Sequence, residues 1–193
     1  MLSKIQLEFL WGIEISCQKS IRAAKYLEVV SHSNTNVWSF TQNCYGAVCI
    51  IHWCQVFGAY SEPTHYSKLF ARGTVAQMSK EIVANRLRAS IGMDKSQYRA
   101  FWKGVTAARN QFFVHYEFGT TITPQFPDTD HILRMCLEMR DIVREILGQE
   151  SSSETEQLGD MQRFTSYYTN ARYISEIQSG VRTLSHAVTS RQR

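Results

Sequence analysis

The amino-acid sequence predicts an all-α fold, an antiparallel bundle of about five to six helices. Apolar residues recur at steps of three or four along most of the 193 residues, which is the spacing of amphipathic helices. No stretch alternates apolar and polar residues with the period of two that indicates a half-buried strand. The 3 prolines and 10 glycines are too few for a turn-rich β architecture. Short connections between the helices favour antiparallel neighbours.

The first part of the chain contains two long predicted helices. Apolar spacing places the first at Ile5–Val30 and the second at Val37–Phe57, ended by Gly58. The segment Ala47–Cys54 is apolar on nearly all sides, so we expect the second helix to be the most buried. The connection Ala59–Gly73 has weak periodicity and is predicted to contain one short helical turn.

A predicted helix with Thr74 as its N-cap runs to Ile91 and ends at Gly92. Its inner face is formed by Val75, Met78, Ile82, Ala84 and Leu87. The next helix begins at Asp94, which forms a capping box with Gln97, and extends to about Glu117.

The last helix of the predicted bundle follows a loop at Gly119–Asp128. Asp128 or Thr129 caps it, and it spans Asp130–Leu147. Its predicted inner face consists of Ile132, Met135, Cys136, Met139, Ile142, Val143 and Ile146. Residues 1–150 are thus predicted to form the bundle. Residues 151–193 are predicted to be a C-terminal amphipathic helical extension, in the same domain or docked on it.

Membrane and secretory classes are not expected. The longest apolar run, Ala47–Ile51, is far shorter than the roughly 20 residues of a membrane-spanning helix. The first residues lack the basic and apolar blocks of a signal peptide. We therefore expect a cytoplasmic protein without a membrane partner.

The five cysteines include no C-x-x-C pair and are odd in number, so we expect reduced thiols. Cys44, Cys49 and Cys54 recur every five residues, and five residues turn a helix by about 140°, so they cannot share one face. We predict that the cysteines are buried as small hydrophobic residues and that no metal is bound. The sequence also contains no glycine-rich phosphate loop, so no cofactor is expected.

Positive charge is concentrated in the middle of the chain. The net charge is +4, and residues 59–117 contain 9 basic and 4 acidic side chains. A solvated helix face and a phosphate-binding surface both account for this excess. For a phosphate-binding surface, Arg99 and Lys103 are the expected contacts, because they lie one turn apart on the Asp94–Glu117 helix.

The Asp94–Glu117 helix carries polar residues where its neighbours are apolar and aromatic. Arg109, Asn110 and His115 interrupt this segment, and a charge near the core needs a partner. Arg109 could pair with an acidic residue of another helix, and His115 could be held by the helix dipole. Arg109 and His115 are six residues apart, which leaves them about 120° apart around the axis and about 9 Å along it. Two copies of the helix facing each other could bring both groups onto one phosphate.

The pattern Arg109-Asn110, four residues, then His115 resembles the signature of the HEPN superfamily. The segment Trp53–Gly58 is also similar to HEPN proteins of the abortive-infection (AbiU-like) kind. The resemblance covers roughly residues 5–147 and implies an all-α domain that forms a homodimer with a composite active site. Active members of that superfamily are metal-independent endoribonucleases that act as toxins, abortive-infection proteins and RNA-processing enzymes.

The resemblance implies a role for each motif residue. His115 would be the general base that activates a 2′-hydroxyl, and Arg109 would bind the phosphate. Asn110 would orient a phosphate oxygen or the His, and Tyr116 would support the site. In the branch with nucleotidyltransferase antitoxins a Tyr lies two residues after the His, where this chain has Glu117, so regulation through that Tyr is not expected. RNA is the implied substrate, and an antitoxin protein is a further implied partner.

Two other functions remain open from the sequence. A buried Arg and His can specify a dimer, so the chain could be a non-catalytic dimerisation or protein-interaction module. Lys80, Arg86 and Arg88 on one helix would suit a DNA-binding protein, although no helix-turn-helix spacing precedes a polar recognition helix.

Overall fold

The computed structural model describes residues 2–30, 36–71, 78–113 and 127–148. These residues contain six helices and no strand, which confirms the predicted all-α helical bundle. The helices are α1 (Lys4–Val30), α2 (Asn36–Phe57), α3 (Lys68–Ala71), α4 (Lys80–Ser90), α5 (Lys95–Phe113) and α6 (Thr129–Gly148). The predicted extension at 151–193 and most of the predicted loop at Gly119–Asp128 lie outside the described residues.

The core lies between α1, α2 and α6. Helix α1 packs along both α2 and α6, while α5 packs on α2 and α4 packs on α6. Helix α2 is deeply buried towards its C-terminal end, as its apolar sequence predicts, and Ile50, Trp53 and Val56 are fully buried. Among the described helices, none is both long enough and apolar enough to cross a membrane.

Helix α6 follows the sequence pattern closely. All seven residues predicted to face inwards are buried. Asp128 caps the helix, because its Oδ1 accepts a hydrogen bond from the Asp130 amide at 2.9 Å. The buried face of α6 therefore packs against α1 and α4 and completes the core.

Helix α4 begins later than predicted. Ser79 is its N-cap, with an extended backbone and an Oγ that accepts a hydrogen bond from the Ile82 amide at 3.2 Å. The predicted N-cap Thr74 is therefore wrong. The predicted inner face is confirmed at Met78 and Leu87, which are buried, but not at Ile82, which is 49% exposed; Val83, next to it, is buried instead.

The turn between α4 and α5 confirms two predictions. Gly92 ends α4 in the left-handed region, with φ of 65°, and its amide donates to the Ala89 carbonyl at 3.0 Å. Asp94 and Gln97 form the reciprocal capping box: the Gln97 amide donates to Asp94 Oδ1 at 2.8 Å, and the Asp94 amide donates to Gln97 Oε1 at 2.9 Å. The start of α5 is thereby fixed.

The prediction that the cysteines are buried holds for four of the five. Cys44 is the exception and is exposed. It lies one turn before Val48, which is 39% exposed, so both residues lie on the outer side of α2. The four buried cysteines are Cys17, Cys49, Cys54 and Cys136.

Candidate functional site

Helix α5 is docked on the end of α2 and thereby positions the motif residues. Val105 and Ala108 are buried on its inner side. The indole Nε1 of Trp102 donates a hydrogen bond to the Phe57 carbonyl, the last carbonyl of α2, at 2.6 Å. Arg109 therefore emerges beside the segment that follows α2.

Arg109 forms an ion pair with Glu62, in the connection between α2 and α3. Its Nη1 donates to Glu62 Oε1 at 2.8 Å, and the two side chains are 27% and 26% exposed. Its Nε donates to Asn110 Oδ1 at 3.3 Å. The expected acidic partner is therefore present, in a loop rather than on another helix. The guanidinium is held in place yet keeps part of its surface open to solvent.

Two hydrogen bonds attach the loop that carries Glu62 to the last turn of α2. The Thr64 hydroxyl donates to the Gln55 carbonyl at 3.0 Å, and the Tyr66 amide donates to the Val56 carbonyl at 2.9 Å. Gly58 is the first residue of the loop. A Cβ at this position would lie 2.4 Å from the Cys54 carbonyl oxygen, so only glycine fits without displacement of the backbone.

Lys68 is a second cation at Glu62. Its Nζ donates to the Glu62 backbone carbonyl at 2.7 Å. The same ammonium lies 5.4 Å from the centroid of the Tyr60 ring, over its face. Glu62 thus joins two cations, Arg109 through its carboxylate and Lys68 through its backbone.

Cys54 lies under this cluster but is not a candidate nucleophile. Burial raises the pKa of its thiol to about 12; the charge of Arg109 opposes this shift and that of Glu62 adds to it. The thiolate, which is the reactive form of cysteine, is therefore scarce at neutral pH.

The described histidines outside the motif have packing roles. Burial lowers the pKa of both His52 and His65. His52 Nδ1 lies 2.7 Å from Gln55 Oε1, and the His65 ring stacks on that of Tyr66. His131 Nδ1 lies 2.9 Å from Asp128 Oδ2. Within the described ranges, no group of three His, Cys, Asp or Glu residues is arranged to hold a metal ion.

Arg99 and Lys103 are both exposed on α5, as a role in phosphate binding requires. Lys95, one further turn back, is exposed as well. Asn110 is seven residues after Lys103, so the two lie within about 20° of each other around the axis. The basic face thus leads to Asn110, and Arg109 is turned about 100° away towards Glu62. Helix α5 contains no acidic residue that would neutralise this face.

The structure does not place the other half of the motif. His115 and Tyr116 lie outside the described residues, as does Glu117. Arg109 and Asn110 are brought together by their contact, whereas Arg99 and Lys103 lie on the neighbouring face. The predicted meeting of Arg109 and His115 stays a prediction.

Glu62 and Lys68 were not identified from the sequence. One signal points to Glu62: it is the only acidic residue between Glu28 and Glu81. Nothing comparable points to Lys68, because its role depends on the path of the loop.

The basic residues of α4 are partly engaged elsewhere. Arg86 donates to Glu138 at 2.7 Å and to Glu145 at 2.6 Å, which ties α4 to α6. Arg88 hydrogen-bonds to Asn85. These contacts weigh against α4 as a DNA-reading helix, because its central arginine is bound by two carboxylates.

Comparison with known proteins gives no relative from which to transfer a role. No protein-family model, no curated protein and no solved structure matches this chain.

Proposed function

We propose that this protein is a metal-independent endoribonuclease of the HEPN type. It cleaves RNA to 2′,3′-cyclic phosphate and 5′-hydroxyl ends and acts as a toxin or in abortive infection against phage. The observation that carries the proposal is the position of Arg109, which Glu62 holds at a partly open surface beside Asn110 and the basic face of α5.

Arg109 is suited to bind the scissile phosphate. Its guanidinium is planar and permanently charged, so it stabilises the negative charge that develops on the phosphate oxygens as the phosphorane forms. The bond to Glu62 fixes the direction of the guanidinium before RNA binds. Asn110, exposed next to it, orients a phosphate oxygen or the imidazole of His115.

His115 supplies the proton transfer. Histidine is the side chain best suited to take a 2′-hydroxyl proton near neutral pH, and the 2′-oxygen then attacks the adjacent phosphorus. The bond between phosphorus and the 5′-oxygen breaks, which leaves the 2′,3′-cyclic phosphate, and the 5′-oxygen takes a proton from water to give the 5′-hydroxyl. Tyr116 supports the position of His115. No step of this reaction requires a metal ion.

The RNA strand follows the exposed basic face of α5. Arg99 and Lys103 contact its phosphates, and the contribution of such contacts weakens as salt is added. Two protomers face each other so that both motifs contribute to one cleft, and the site is thus shared by a homodimer. An antitoxin protein restrains the activity in the cell.

The first prediction tests the enzyme directly. Arg109→Ala and His115→Ala should each reduce RNA cleavage by about a hundred- to ten-thousand-fold, the range that general acid-base catalysis supplies. The assay contains a chelator and identifies cyclic phosphate ends. Arg134→Ala is the control, because this exposed arginine lies on α6 and pairs with Asp130 of the same helix. Cleavage that stops with chelator, or continues in His115→Ala, would contradict the proposal.

The ion pair itself favours a second candidate, a non-catalytic dimerisation or interaction module. An arginine paired with a carboxylate at 2.8 Å is also what a purely structural role requires. In that case Arg109→Ala would lower the melting temperature, and the wild-type protein would cleave no RNA. A wild-type protein that cleaves RNA excludes this candidate.

A further inference from the structure

Tyr60 is an aromatic side chain that faces solvent beside the Arg109 cluster. Tyr60 is 61% exposed. The turn that contains it is closed by a hydrogen bond from the Glu62 amide to the Ala59 carbonyl at 3.0 Å. Tyr60 is therefore two residues from the carboxylate that holds Arg109.

One cation, Lys68, lies over this ring, and a second, Arg109, is joined to it through Glu62. Lys68 Nζ lies over its face at 5.4 Å and also donates to the Glu62 carbonyl. Glu62 in turn binds Arg109. One continuous set of contacts thus joins an exposed aromatic ring to two cations, of which one is the proposed phosphate ligand.

The Tyr60 ring packs against another ring of the same loop. The His65 ring meets that of Tyr60 edge to face at 5.8 Å and stacks on that of Tyr66 at 5.1 Å. Tyr66 is anchored to α2 through its amide. The position of Tyr60 is therefore set by packing before any ligand arrives.

We propose that Tyr60 stacks on an unpaired nucleobase of an RNA strand whose phosphates bind at Arg109 and Lys68. This inference rests on the proposed function, because it takes Arg109 as a phosphate ligand. Exposed aromatic rings beside cations are how proteins bind single strands, since every base offers a face for stacking and every nucleotide carries a phosphate. The site accordingly takes single-stranded rather than fully paired RNA.

The test separates stacking on bases from binding to phosphates. Two uncleavable oligomers of equal length and charge are compared by fluorescence anisotropy, a 2′-O-methyl oligouridylate and the corresponding abasic 2′-O-methylribose-phosphate oligomer. Tyr60→Ala should weaken binding to the oligouridylate by about 5- to 100-fold, the range found when a stacking aromatic is removed. Binding to the abasic oligomer should stay the same, because no base is present to lose its partner.

Three further variants control for loss of structure. Tyr60→Phe and Tyr60→Trp keep a stacking ring and should bind the oligouridylate at least nearly as well as the wild type. Trp11→Ala removes an aromatic residue of α1 that is 48% exposed, and it should change nothing. Melting curves confirm that each variant is folded.

Two results would overturn the inference while leaving the proposed function intact. The first is an active wild type whose Tyr60→Ala variant binds the oligouridylate normally. The second is an equal loss on both oligomers, which would assign Tyr60 to the geometry of the loop. A wild type that binds neither oligomer and cleaves no RNA would overturn both proposals together.

Discussion

Glu14 is a carboxylate in the core, between α1 and α6. It is 5% exposed, its Oε1 accepts from Gln18 Nε2 at 3.0 Å, and Arg144 Nη2 lies 3.7 Å from the same oxygen. Its Oε2 is buried without a hydrogen bond among the described residues. Burial raises the pKa of Glu14, and the bond from Gln18 and the charge of Arg144 oppose this only in part. The charged form therefore destabilises the fold.

Replacing Glu14 should change the free energy of unfolding by an amount that depends on pH. Because the folded pKa is raised, the folded state binds more protons than the unfolded state between the ordinary pKa and the raised one, so lowering the pH through this window stabilises the wild type. Glu14→Gln should therefore have a higher free energy of unfolding than the wild type at pH 7, and the difference should shrink on acidification. Urea unfolding at several pH values measures it, with the exposed Glu8→Gln as control. A less stable Glu14→Gln at pH 7 would show that attraction to Arg144 outweighs desolvation.

At the scale of elements, the join between α2 and the Glu62 loop depends on Gly58. A methyl group at Gly58 would lie 2.4 Å from the Cys54 carbonyl oxygen, and backbone has to move to make room. Gly58→Ala should therefore cost about 1–3 kcal/mol of stability. Gly104→Ala is the matched control, because a Cβ there meets nothing within 4 Å and alanine in an exposed helix gains up to about 1 kcal/mol. Thermal unfolding of both variants should show opposite shifts, and similar shifts would contradict the steric argument.

The elements also show which features a sequence can predict. The inner face of α6 was predicted in full because seven apolar residues at helical spacing leave one arrangement. The start of α4 was not, because Thr74 and Ser79 are both good N-caps and only the path of the chain decides between them. The buried face of a strongly patterned helix thus follows from the local sequence, whereas the start of a helix with two candidate N-caps does not.

In the candidate site, too, local features could be predicted and contacts between distant residues could not. Arg99 and Lys103 lie exposed one turn apart, as their spacing predicts, and Asn110 is exposed although its apolar neighbours gave no sign of it. The partner of Arg109 was missed because Glu62 is 47 residues away in sequence, and no local pattern encodes such a contact. The place of His115 relative to Arg109 stays a prediction.

For the whole molecule, the proposal requires a two-fold dimer with α5 at or beside the interface. Arg109 and His115 diverge around one helix, so a second copy has to complete the cleft, and two-fold contacts are the commonest assembly of identical chains. Sedimentation equilibrium at micromolar concentration should give twice the 22.3 kDa of the chain. A purely monomeric protein would contradict the shared site.

The way α2 ends has a consequence for how a substrate is received. Its last three carbonyls, at Gln55, Val56 and Phe57, accept hydrogen bonds from Thr64, Tyr66 and Trp102, so loop and helix α5 complete the helix end that would otherwise need water. Opening this loop would expose those carbonyls and loosen α5 at the same time. The surface around Arg109 is therefore preorganised, and the proposed RNA ligand would bind it without the entropy cost of ordering this loop.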